Sequence, residues 1–133
     1  MNISELEERI EAHFASGPAA VGNAEALKDF LALRSALEAG ELRSAEPEAS
    51  APTGWRVNAW VKRGILLGFR IGAMVEQPAS GFSFIDKDTY PARHFGTGDG
   101  VRIVPGSLHG GRVEIDPHYF AGTHHARGDG KDP

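Results

Sequence analysis

The sequence offers few side chains whose type and position suggest chemistry, and Arg102 is the foremost of them. It lies in the apolar run VRIVPG, which we predict to be a strand that ends at Pro105 and Gly106. A guanidinium held by a rigid strand presents a planar fork that fits a carboxylate or a phosphate. The residues alone leave two interpretations open, because Arg102 could equally be a strand residue that faces solvent.

A second group of polar side chains lies near the end of the sequence, where His118, His124 and His125 are close to Asp116. Imidazole and carboxylate groups are suitable ligands for zinc or nickel. Their spacing matches no helical pair four residues apart, and the surrounding segment is rich in glycine. We therefore predict a solvated tail and no metal site.

Other short patterns point to no particular reaction. The glycine-rich GTGDG at 96–100 has no helix start after it, which a phosphate-binding loop needs, so we predict a turn there. No order of serine, histidine and aspartate and no paired-carboxylate spacing indicates hydrolysis. The catalytic residues therefore stay unassigned.

The composition limits the classes of protein that fit. A chain of 133 residues suits one domain, and the lack of cysteine excludes a disulfide scaffold and a thiolate metal site. A net charge of −4 argues against a general nucleic-acid binder. The N-terminal residues resemble no signal peptide, and the longest apolar stretch, GILLGF, is far shorter than the ~20 residues of a membrane span. We predict a cytoplasmic protein whose partners include neither nucleic acid nor membrane.

Two amphipathic helices are predicted before residue 40, each with apolar residues at spacings of three and four. The apolar stripes consist of Ile3, Leu6, Ile10 and Phe14 in the first helix and of Leu27, Phe30, Leu31 and Leu37 in the second. We expect Ser4 and Glu7 to form a capping box on the first helix. Asn23 should cap the second helix, and Gly40 should end it.

A third helix is predicted from Asn58 to about Ile71, after the extended stretch WRV. Apolar residues cover most of its circumference, so we expect it to be the most buried of the three. Nearby cations should lie at the rim of the core with buried stems. Short strands are expected around residues 42–45 and in GAMVEQ, FSFIDK and VRIVPGS.

Four stretches occur in one unbroken order between residues 5 and 107: ALKDFLALRSALEAGELRSAE, WRVNAWVKRGILLGFRI, FIDKDTYPARHF and GDGVRIVPGS. Together they resemble the N-terminal part of tetrahydrodipicolinate N-succinyltransferase, an acyltransferase family of lysine and diaminopimelate biosynthesis. The resemblance implies an α+β fold with about three helices and short strands. These elements would lead into at most the first coil of a left-handed β-helix. The expected divisions are a helical domain at 1–100, a strand and single coil at 101–120, and a disordered tail at 121–133.

The resemblance also implies a homotrimer that uses succinyl-CoA as co-substrate, with no tightly bound cofactor and with a small dicarboxylate as acceptor. Arg102 matches the arginine of the family's RVVP-like strand, which contacts a substrate carboxylate.

The family continues with many hexapeptide repeats, which hold the acyl-donor site, whereas GGRVEIDPHYFAG offers at most one coil. We therefore expect the β-helix to be missing and the chain to be inactive by itself, so whether it is an enzyme is left open. The alternative is a non-enzymatic oligomerisation or docking module derived from this domain.

Overall fold

Three helices form the body of the protein in the computed structural model, which describes residues 2–77, 84–92 and 94–103. The helices are α1 (Ile3–Ala15), α2 (Ala24–Glu38) and α3 (Ala59–Ile71). Four short strands form two antiparallel hairpins, β1 (Ala45–Pro47) with β2 (Trp55–Val57) and β3 (Met74–Glu76) with β4 (Ile85–Lys87). This arrangement confirms the predicted α+β class.

The hairpins follow the predicted extended stretches closely. In the first, Ala45 pairs with Val57 and Pro47 with Trp55. The first strand begins at residue 45 rather than 42, because Leu42 instead turns into the core, where it is 4% exposed. The boundary expected at residue 100 stays a prediction, since almost all of the strand, coil and tail expected at 101–133 lies outside the described residues.

The capping box of α1 lies two residues earlier than expected. The Asn2 side chain accepts a hydrogen bond from the Glu5 N–H at 2.8 Å, and the Glu5 carboxylate accepts one from the Asn2 N–H at 3.3 Å. The prediction that Ser4 and Glu7 form this box is wrong, because Ser4 already lies inside the first turn. Both pairs have the same spacing, and asparagine caps a helix as well as serine does.

Helix α2 starts and ends as predicted, and it buries Phe30 and Leu37 of the predicted stripe but not the other two residues. The Asn23 side chain accepts from the N–H groups of Glu25 and Ala26, and Gly40 takes a positive φ of 74° after the last turn. Leu27 and Leu31 are 43% and 37% exposed. The buried stripe consists of Ala26, Asp29, Phe30, Leu33, Ala36 and Leu37. Helix α2 packs against both α1 and α3, and these contacts decide which of its faces is buried.

Helix α3 approaches the other helices through glycines. A Cβ added at Gly64 would lie less than 3.0 Å from the Leu33 side chain, and one at Gly68 less than 3.0 Å from Phe30 and Tyr90. Helix α3 has five buried residues, whereas α2 has six. The prediction that α3 is the most buried of the three helices is therefore wrong. Leu66 faces outward and is 45% exposed.

Tyr90 closes the core from outside the helices, a role that the sequence pattern did not indicate. It is 1% exposed, and its ring meets the Phe30 ring edge-on with centroids 5.6 Å apart. Its hydroxyl donates to the Ile65 carbonyl oxygen at 2.5 Å. Burial raises the pKa of the Tyr90 phenol well above its usual value.

We expect this phenol to make the fold sensitive to alkaline pH. Because the folded pKa is raised, its stabilising effect is complete below the unfolded pKa of about 10 and is lost as pH rises above that value. Between about pH 9 and about pH 11, the wild type should therefore lose about 1 kcal/mol more unfolding free energy than Tyr90→Phe does. Urea melts at several pH values measure both slopes, and equal slopes would contradict this expectation.

No helix in the described ranges is long and apolar enough to cross a membrane.

Candidate functional site

Arg102 lies on an exposed segment that follows a short helical turn. The turn spans Thr97–Asp99 as a 3-10 helix, as expected for GTGDG, and Gly100 leaves it with a positive φ of 69°. Residues 101–103 form no strand, so the strand predicted for VRIVPGS is absent from its described part. A strand exists only with a hydrogen-bonded neighbour, and neither described hairpin pairs with this segment.

The Arg102 guanidinium has no hydrogen bond or ion pair with any residue of the described ranges. The remaining arginines in those ranges are all engaged with other groups. Their partners include the Asp29 and Glu25 carboxylates for Arg9, the Thr89 carbonyl for Arg34, Glu46 for Arg56, Glu11 for Arg63 and the Phe14 carbonyl for Arg70. Within the described ranges, every arginine except Arg102 is therefore engaged with another group, and no described residue occupies the Arg102 guanidinium.

Two of the cations near α3 lie at the core rim as expected. The Arg70 guanidinium lies over the Phe14 ring, 4.8 Å from its centroid, and donates to the Phe14 carbonyl oxygen. Arg63 forms an ion pair with Glu11 on α1, and this hydrogen bond lowers the pKa of the Glu11 carboxyl.

A buried carboxylate cluster joins α1 to α2 and was missed by the sequence analysis. The Asp29 side chain is fully buried, and its Oδ2 accepts from Arg9 Nε at 2.9 Å and from His13 Nε2 at 2.7 Å. Arg9 also pairs with Glu25 at 2.9 Å. The signal was present in the sequence, because Arg9 and His13 are four residues apart, as are Glu25 and Asp29. We interpret the cluster as a structural tie.

We expect Asp29→Asn to lower the unfolding free energy by about 1–3 kcal/mol, because the neutral amide loses the charge that strengthens the hydrogen bonds from Arg9 and His13. The matched control is Glu25→Gln, which removes an exposed carboxylate from the same Arg9 and should have a much smaller effect. Urea melts at neutral pH compare the two variants. A loss no larger than that of the control would mean that the buried pair contributes no net stability.

The described part of the chain contains no group of three His, Asp or Glu side chains that could hold a metal ion. His118, His124, His125 and Asp116 lie outside the described residues, so the predicted absence of a metal site there stays a prediction.

Comparisons with protein families and with curated proteins point to the same enzyme family. Residues 5–71 match the family described as "Tetrahydrodipicolinate N-succinyltransferase N-terminal". Among curated proteins, the chain resembles 2,3,4,5-tetrahydropyridine-2,6-dicarboxylate N-succinyltransferases. That of Leptothrix cholodnii is 37% identical over 105 residues, covering 74% of this chain and 35% of the relative. That of a Jannaschia species is 42% identical over 94 residues, covering 65% and 32%.

The match to the family contains nearly all of the helical body. It begins within α1 and ends at the last residue of α3, so it also includes the β1–β2 hairpin. The chain spans about a third of the length of the curated relatives that it matches. Arg102 lies beyond the residues matched to the family.

Proposed function

Since the chain belongs to the family of tetrahydrodipicolinate N-succinyltransferase N-terminal domains, we propose that it serves as the N-terminal domain of an enzyme that transfers succinyl from succinyl-CoA to an amino or imino dicarboxylate. The observation that carries this proposal is the match over residues 5–71, which covers the three-helix body. The proposed setting is lysine and diaminopimelate biosynthesis in the cytoplasm. The proposed assembly is a homotrimer with hexapeptide repeats after this domain.

In this reaction a neutral amine of the acceptor, which an imino acceptor gives after addition of water, attacks the thioester carbonyl of succinyl-CoA. The C–N bond forms as the C–S bond breaks, and CoA leaves as the thiol with the proton that the nitrogen loses. Such a reaction depends on a deprotonated amine held close to the thioester in the right orientation. Arg102 would contribute orientation, because its exposed guanidinium can bind an acceptor carboxylate through two parallel hydrogen bonds. Its lack of a partner among the described residues supports this role.

We expect Arg102→Lys to reduce kcat/KM for the acceptor by at least about tenfold, roughly 1.4 kcal/mol. Lysine keeps the charge but loses the planar fork, so the acceptor would be held less precisely. The assay is thiol release from succinyl-CoA with the acceptor varied. It uses a chimera in which residues 1–103 precede the C-terminal part of the Jannaschia relative, while the 133-residue chain alone should release no thiol.

The control for this experiment is Lys62→Ala, which removes an exposed cation of α3 and should leave acceptor kinetics unchanged. Wild-type acceptor kinetics in a well-folded Arg102→Lys chimera would show that Arg102 is only a surface residue. An inactive wild-type chimera would count against the enzymatic proposal itself.

The alternative, an oligomerisation or docking module, is supported by the apolar residues that the hairpins expose. Val57 is 71% exposed, Ile85 61% and Met74 58%. Val57 lies on the first hairpin and Met74 and Ile85 lie on the second, and exposed apolar side chains can serve as the contact residues of an interface. Sedimentation of the chain over a range of concentrations tests this alternative, which requires self-association that is lost when Val57 and Ile85 are both changed to Ser.

A further inference from the structure

We draw no further inference here: the strongest candidate, the apolar surface that the two hairpins expose at Trp55, Val57 and Ile85, carries none because nothing in the described part of the structure shows what covers it.

Discussion

Trp60→Ala is expected to lower the unfolding free energy by about 3–5 kcal/mol, the usual cost of truncating a large buried aromatic residue. Trp60 is 5% exposed and belongs to the same apolar cluster as Leu6, Leu42 and Val61. Removal of the indole leaves a cavity at the first turn of α3, which the neighbouring helices can fill only in part. Urea melts of the chain measure the loss.

The chain provides its own control, because Trp55 lies on β2 and is 53% exposed. Trp55→Ala should cost less than about 1 kcal/mol, since little apolar surface returns to water. Similar losses at the two tryptophans would show that the core does not lie where the structure places it.

Gly68→Val is expected to be the second most damaging change, at about 3 kcal/mol, through overpacking rather than a cavity. A Cβ at this position would lie less than 3.0 Å from the Phe30 ring and the Tyr90 hydroxyl. Both neighbours are themselves buried and packed against each other, so neither can move away without opening the core. The carbonyl of Gly68 also accepts from Thr89 Oγ1 at 2.9 Å, a bond that a shifted α3 would lose.

Gly98→Val serves as the comparison, because nothing lies within 4 Å of a Cβ there and its φ is not positive. Its effect on thermal unfolding should be small. If Gly68→Val unfolded at the wild-type temperature, the close approach of α3 to Phe30 and Tyr90 would not exist in solution.

The elements that local sequence signals control were predictable. Asn23 marks the start of α2 and Gly40 marks its end. Both were predictable, because capping and a positive φ depend on a few neighbouring atoms. The start of α1 was misplaced because Asn2–Glu5 and Ser4–Glu7 have the same spacing, and local sequence alone does not choose between them.

The features that depend on contacts between distant residues were not predictable. Leu27 and Leu33 are equally apolar, and only the packing of α2 against α1 and α3 decides that Leu33 is the buried one. The burial of Tyr90 depends on Gly68, which lies 22 positions earlier in the sequence and provides the space for the Tyr90 hydroxyl.

At Arg102, too, one feature was predictable from the sequence and another was not. The apolar run around Arg102 and the resemblance to a family brought this residue forward from the sequence. That its guanidinium lacks a partner within the described ranges follows only from the structure, because the partners of other arginines such as Arg34 and Arg63 come from distant segments.

The packing of Tyr90 over Gly68 also limits how this domain can be exchanged between related proteins. The match to the family description ends at residue 71, but the aromatic residue that covers α3 comes at position 90. A recombination junction placed just after α3 would separate a glycine from the side chain that fills the space above it. The unit that can be exchanged with its core intact therefore extends at least through Tyr90. Recombination junctions should lie on the C-terminal side of Tyr90.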